Sequence, residues 1–335
     1  MTSTILVLQD GAGAGSAPDD VPPAVLELLT AARALGRVDV VTLTAPSVGV
    51  LATLGQYGVQ AVHQAALPAG ISDDAKRLAP VVAAVLETAV NRVHADLLLV
   101  PNSFVAKEAG AVAAARLGVG FINNALTIAP PNAPVVTADK GFTVTCRVFG
   151  GTWDVTARVT TDPAVISVQP GGIAANPADY ATVPEVYPLP VTVSPPAVTV
   201  VKREPVVKES GRPDLISARE VVAGGRGCNG DLAPVFELAD ALGAAVGVTR
   251  DVAFDGLFDS YIGATGLTVA PELYVACGIS GAPYHTGGMR GSKYIVSVNN
   301  DEDAPINAIC DLVIVGDVAE VLPQAAALIR DRHTE

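Results

Sequence analysis

LYVACGISGAPYHTGGMRGSKYIVSVNN (273–300) sets two apolar, strand-like runs, LYVAC and KYIVSVN, on either side of five glycines, three small hydroxyls and a histidine. Short apolar runs bounded by glycine read as buried strands, so the polar cluster falls at the C-terminal end of the first. In an open α/β sheet that end is where ligands lie. Working outward, ISAREVVAGG (216–225) is strand into turn and DLAPVFELADALG (231–243) is a helix with a terminal glycine. AAVGVTR (244–250) and DLVIVGD (311–317) add strands, and a helix around VAEVLPQAAALIRDR closes the chain. One Rossmann-like nucleotide-binding domain is expected over residues 213–335.

The N-terminal half alternates in the same way. Ile5–Leu8 and Val38–Leu43 read as strands, and PAVLELLTAARAL (23–35), with Gly36 beyond it, has apolar residues at helical spacing. Lys76–Val93 reads as a helix, ADLLLVP (95–101) as a buried strand and AKEAGAVAAARLG (106–118) as a small-residue helix. That order predicts parallel βαβ units. From about residue 134 the rhythm changes: FTVTCRVF, WDVTARVT and AVISVQ alternate with period two between GG and DP turns, which predicts a small antiparallel addition. Proline-rich sequence follows, YPLPVTVSPP and then KREPVVKESGRPD. The expected organisation is an N-terminal α/β domain over 1–195, a linker over 196–212 and the second α/β domain over 213–335.

Composition bounds the function. The chain has 335 residues, half of them apolar, and a net charge of −13, which argues against nucleic acid as a general partner. Cys146, Cys228, Cys277 and Cys310 are far apart in sequence, so neither a metal site nor a redox pair is expected, and they read as small buried hydrophobes. TILVLQD (4–10) follows the first residues without a charged n-region or a cleavage site, and no window suggests a membrane span, so a cytoplasmic protein is expected.

Six polar clusters punctuate the strand ends. GGRGCNG (224–230) holds a literal G-x-G-x-x-G at Gly225, Gly227 and Gly230, with Arg226 inside it and Asp251 about 20 residues further on. That spacing suits a dinucleotide turn in an NAD-dependent dehydrogenase, or no more than a glycine-rich strand–helix connection. Thr249 and Arg250 end the next strand, and Gly263, Ala264 and Thr265 lie in the turn GATG. Ser280, Gly281 and His285 follow LYVACGI, then Arg290 and Lys293 make a basic patch; Asn299 and Asp317 end two further strands. Each taken alone is readable as an ordinary turn or a solvated side chain, but one shared crevice explains them all.

The order GGRG, AAVGVTR, GATG, APELYVACGISGAPYHTGGM, SVNNDEDAPI resembles the alpha subunit of electron transfer flavoproteins, strongly over 216–330 and more loosely over 1–195. The resemblance implies FAD in the C-terminal domain and a heterodimer with a beta subunit, which would carry AMP or a second FAD. It implies a redox-active electron carrier rather than a substrate-converting enzyme, taking electrons from dehydrogenases of the acyl-CoA type in fatty acid beta-oxidation. A membrane quinone oxidoreductase would be the transient acceptor. Carried over by motif, Arg226 would lie at the diphosphate and adenosine side, and Thr249 and Arg250 would flank the isoalloxazine. Gly263, Ala264 and Thr265 would line it near N5, with Ser280, Gly281, Ala282, Pro283, Tyr284 and His285 wrapping the ring and ribityl chain. Asn299, Asp317 and Val318 would hold the adenosine portion. Arg250, Thr265 and His285 would tune the flavin: a fixed cation favours anionic reduced forms, and His285 would donate a hydrogen bond near N1 and the C2 carbonyl.

Three positions depart from the family pattern. Tyr284, after Pro283, stands where glutamine is usual; Ala264 replaces the glutamine of GQTG; Asn307 replaces an aromatic residue after API. GAGAGSAP (11–18) is also unusual and lies where subunit contacts are expected. These departures suggest a divergent paralogue serving a dedicated dehydrogenase. A flavin-free structural or regulatory subunit is the remaining alternative.

Overall fold

The computed structural model describes residues 3–9, 20–129, 141–149, 152–193, 198–202, 211–216 and 218–333. GAGAGSAP (11–18) and most of the expected linker lie outside the described residues. The chain divides into two compact units, Met1–Cys146 with Val155–Val207, and Arg147–Asp154 with Lys208–Glu335.

In the first unit the elements run β1 (Thr4–Gln9), α1 (Pro23–Leu35), β2 (Arg37–Thr42), α2 (Val48–Gln56), β3 (Ala61–Ala66), α3 (Ala79–Val93), β4 (Leu97–Pro101) and α4 (Phe104–Leu117). There follow β5 (Phe121–Ala129), β6 (Phe142–Val148), β7 (Trp153–Val159), β8 (Ala164–Val168) and β9 (Glu185–Pro190), the end of β6 and the start of β7 within Arg147–Asp154 counting with the second unit. They form a nine-stranded sheet in the order β7-β6-β5-β8-β4-β1-β2-β3-β9, parallel from β5 to β9. The antiparallel addition is β6, paired with β5, and β7 beyond it. AVISV, expected with them, instead runs parallel between β4 and β5 as β8. All five of its residues are buried, as a strand covered on both faces requires. The helix expected from Lys76 begins at Ala79, after a single tight turn over Ala75–Arg77. Helix α4 packs through Ala106, Ala109, Gly110, Ala113 and Ala114, so small residues bring its axis close to the sheet. Ser103 caps its start by accepting from the Ala106 amide at 3.1 Å, and Gly118 ends it at φ 70°.

The second unit contains β10 (Glu220–Gly224), α5 (Ala233–Leu242), β11 (Ala245–Val248), α6 (Arg250–Val252), β12 (Leu273–Cys277), α7 (Pro283–Thr286), β13 (Tyr294–Asn299), β14 (Leu312–Val315) and α8 (Val318–His333). Its five strands are parallel in the order β11-β10-β12-β13-β14. The register pairs Gly224 with both Val248 and Cys277, Cys277 with Val298, and Asn299 with Val315. Every strand therefore ends within about a residue of the same edge. Between β10 and β12 the winding reverses, which makes their ends the switch point of the sheet. Alternation along the strands sends Val222, Val275, Cys277 and Val298 to a core closed by Val235 and Leu238 of α5 and Leu322 of α8. Val221, Ala223, Tyr274 and Ala276 face the other side, which loops cover through Ile262, Ile279, Met289 and Ile306. Among the described residues no helix is long and apolar enough to cross a membrane.

Candidate functional site

The level strand ends of the five-stranded sheet gather the polar clusters singled out in the sequence, except the basic pair: Lys293 precedes β13 at the opposite edge, its amide donating to the Pro271 carbonyl at 3.0 Å. The glycines of GGRGCNG first bring two turns together. The Gly225 amide donates to the Cys277 carbonyl at 2.8 Å, and the Gly227 amide to the Gly278 carbonyl at 2.9 Å. A Cβ on Gly225 would stand 2.4 Å from the Gly278 oxygen, so only glycine permits this approach. These two N–H groups are spent on β12 and are not offered to a pyrophosphate. Helix α5 starts only at Ala233, whose amide donates to the Asp231 carboxylate at 2.9 Å. Arg226 is exposed at this turn, with Nε 3.3 Å from the Asp251 carboxylate, so the acid at the ribose-binding spacing is the arginine's partner.

At the end of β11, the Thr249 amide donates to the Gly224 carbonyl at 3.0 Å, while its hydroxyl is buried without a hydrogen-bond partner. Arg250, next to it, opens α6 with its side chain exposed, and no carboxylate pairs with it among the described residues. The chain returns to β11 through the Ile262 amide, which donates to the Val248 carbonyl at 2.9 Å. GATG then closes on itself: Gly266 N–H reaches the Gly263 carbonyl at 3.0 Å and Gly263 N–H the Leu267 carbonyl at 3.0 Å. Thr265 is exposed, and the Tyr261 hydroxyl lies 3.1 Å from both its carbonyl and its Oγ1.

GISGAPYHT meets that loop directly. The Ala264 amide donates to the Tyr284 carbonyl at 2.6 Å, and a Cβ on Gly288 would stand 2.4 Å from the backbone of Gly263. Ser280, Ala282 and Pro283 are exposed, and Gly281 is partly buried where Ile306 crosses; the Ile306 amide donates to the Ser280 carbonyl at 3.1 Å. His285 is buried, with Nδ1 3.1 Å from the Ile262 carbonyl and Nε2 2.9 Å from the Tyr274 hydroxyl. A carbonyl only accepts, so Nδ1 carries the proton and Nε2 accepts from tyrosine. Burial holds the imidazole down at about 4, against a smaller opposing effect of the Ile262 carbonyl, so the ring is neutral at physiological pH. The ring thus bridges β12 to the loop that carries GATG.

The remaining strand ends carry structural duties visible in their bonds. Asn299 is buried, its amide donating to the Ile279 carbonyl at 3.0 Å and its oxygen accepting from the Asp301 N–H at 3.1 Å. Asp317 is exposed and caps α8, accepting from the Ala319 amide at 2.8 Å. The Val318 side chain belongs to the core. The structure thus places Thr249, Arg250, GATG and 280–285 beside one another at one edge of the sheet. Arg226, Asn299 and Asp317 lie along the same edge, bonded to their own neighbours. Tyr261, Tyr274 and the Ile262 carbonyl escaped the sequence reading. A tyrosine four residues before Thr265, and a lone aromatic residue inside LYVAC, were the available signals. No cluster of three metal-ligating side chains occurs among the described residues.

Comparison with known proteins bears on this arrangement. Residues 214–290 match the family profile described as the electron transfer flavoprotein FAD-binding domain, and residues 14–194 match the electron transfer flavoprotein domain. The chain is 38% identical over 312 residues to the electron transfer flavoprotein subunit alpha of Mycobacterium leprae, covering 91% of this chain and 93% of that one. It is 33% identical over 244 residues to the Bacillus subtilis subunit alpha, covering 71% and 72%. The subunit alpha of Paracoccus denitrificans is 53% identical over 122 residues, covering 35% of this chain and 40% of that one.

Proposed function

The chain belongs to the electron transfer flavoprotein alpha-subunit family, and from that premise we propose that it carries electrons on FAD held at the strand ends of its five-stranded unit. The observation that carries the reading is the pair Thr249 and Arg250. A buried hydroxyl without a partner and an exposed guanidinium without a carboxylate, in a chain of net charge −13, suit a polar, anionic ligand. Their neighbours Ser280 and Thr265 add hydroxyls, and the exposed face of Tyr284 adds an aromatic wall.

FAD supplies the redox chemistry. Thr249, Arg250, Thr265 and the segment Ser280–His285 would surround its ring. Arg226 would face the diphosphate, while Asn299, Asp317 and the Val318 backbone would lie toward the adenosine. Arg250 supplies the permanent positive charge. His285 adds none, because burial keeps it neutral and both its nitrogens are engaged. Its role toward flavin is to hold the surrounding loops. The chain works as one half of a heterodimer with a beta subunit, and its electrons come from a dehydrogenase and go to a quinone oxidoreductase. Ala264 and Tyr284, in place of two glutamines, support a paralogue matched to its own dehydrogenase.

Co-expression with a beta subunit, followed by flavin quantitation and a redox titration, tests the reading. Parent complex is expected to hold flavin, and Arg250→Ala to lower its potential, since removing a permanent cation disfavours the added negative charge of a reduced flavin. A purified complex free of flavin, or a potential untouched by Arg250→Ala, would refute it.

A further inference from the structure

We infer that Tyr284 is a positioning residue for Arg250. The inference deepens the proposed flavin reading, yet the contact itself exists without flavin. The Arg250 guanidinium carbon lies 5.8 Å from the centroid of the Tyr284 ring, within reach of a cation–π contact. No ion pair competes for that guanidinium among the described residues, so the ring is what restrains a long side chain with many rotamers.

The tyrosine backbone is itself fixed from three sides. Its carbonyl accepts from the Ala264 amide at 2.6 Å. The preceding residue is Pro283, and the turn of α7 closes when the His285 and Thr286 amides donate to the Ala282 carbonyl, at 2.9 and 3.0 Å. His285, one residue on, is tied to Tyr274 and to the Ile262 carbonyl. A rigid backbone thus presents a ring that remains 63% exposed. The Ala264 main-chain N–H thus holds the backbone that aims the Tyr284 ring. The result is an aromatic ring with a cation over its face. Glutamine at 284 offers hydrogen bonds but no π face, so Arg250 would be freer.

The test uses the full-length chain, first without flavin. Phenylglyoxal modification of Arg250, followed by peptide mass spectrometry, reads how well the ring shields the guanidinium. Tyr284→Leu and Tyr284→Gln are expected to raise the rate roughly two- to fivefold, the range an exposed cation–π contact gives, while Tyr284→Phe stays at the parent rate. Equal rates in the parent, Tyr284→Leu and Tyr284→Phe would overturn the inference, with an unchanged circular dichroism melt showing that the variants fold. In the flavin-loaded heterodimer, Tyr284→Leu is expected to shift the midpoint potential in the parent but not in the Arg250→Gln background. An equal shift in both backgrounds also overturns it. A chain that shows the Arg250 protection but takes up no flavin would sink the electron-carrier reading alone.

Discussion

His285 and Glu27 show how burial gives single residues opposite pH signatures. The folded imidazole titrates near 4, below its ordinary 6.5, so the unfolded chain binds the proton more readily. Its contribution, on the order of 3 kcal/mol from that shift, is present above pH 6.5 and is lost as pH falls toward 4. A plot of melting temperature against pH should slope in that window and flatten in His285→Gln, even though this variant is less stable at pH 7. Glu27 behaves the other way. Burial raises its carboxyl to about 7, against the Gly171 and Ile173 amides, and the Gly171 amide donates to it at 2.8 Å. The folded state therefore favours the protonated acid: its contribution is complete below pH 4.5 and disappears as pH rises through 7. Glu27→Gln keeps the acceptor and removes the charge. It should match the parent below pH 4.5 and melt higher than the parent above pH 7; an unchanged difference across that range would show that the carboxyl does not titrate there. Neither behaviour was legible from sequence, because burial of a side chain depends on what the rest of the chain packs over it.

Among the elements, the glycine turns were legible as turns and as strand ends, but not in what they touch. The G-x-G-x-x-G pattern suggested free amides facing a pyrophosphate, yet its first two glycines donate to β12. Close backbone approach is the property that glycine supplies in both cases, so the motif alone does not separate them. Gly278 faces that turn at φ 60°, where a Cβ would stand 2.6 Å from the Gly227 carbonyl carbon. Gly278→Ala should cost about 2 kcal/mol or more, from left-handed strain and displaced backbone together, measurable by urea denaturation; a loss under half of that would mean the turns yield easily. Asp317 offers a sharper separation of roles. Asp317→Ala should cost about 1 kcal/mol through the lost cap on α8, while Asp317→Ser keeps the cap. Weaker FAD binding in Asp317→Ser at parent stability would assign the carboxylate a ligand role as well. The strand β8 illustrates the limit of periodicity: AVISV alternates no more clearly than a fully buried strand must, and its partners are set by β4 and β5.

Across the whole molecule, each compact unit has its own buried core, one around β4, α3 and α4, the other on the two faces of the five-stranded sheet. Calorimetry is expected to resolve two transitions, and FAD should raise only the one belonging to the five-stranded unit, since a ligand stabilises what binds it. A single transition that moves as one with FAD would show the units to be energetically inseparable. The sequence by itself determined the α/β class, the alternation of elements, the family and the residues at each strand end. Those follow from local periodicity, glycine placement and the order of motifs along one chain. Tertiary structure alone decided that β8 joins the parallel sheet, that the glycine amides are already bonded, and that His285 is a neutral bridge between β12 and the GATG loop. It also decided that Arg250 meets Tyr284 across 34 positions of sequence. Such facts depend on distances between segments remote in sequence, which local pattern does not encode.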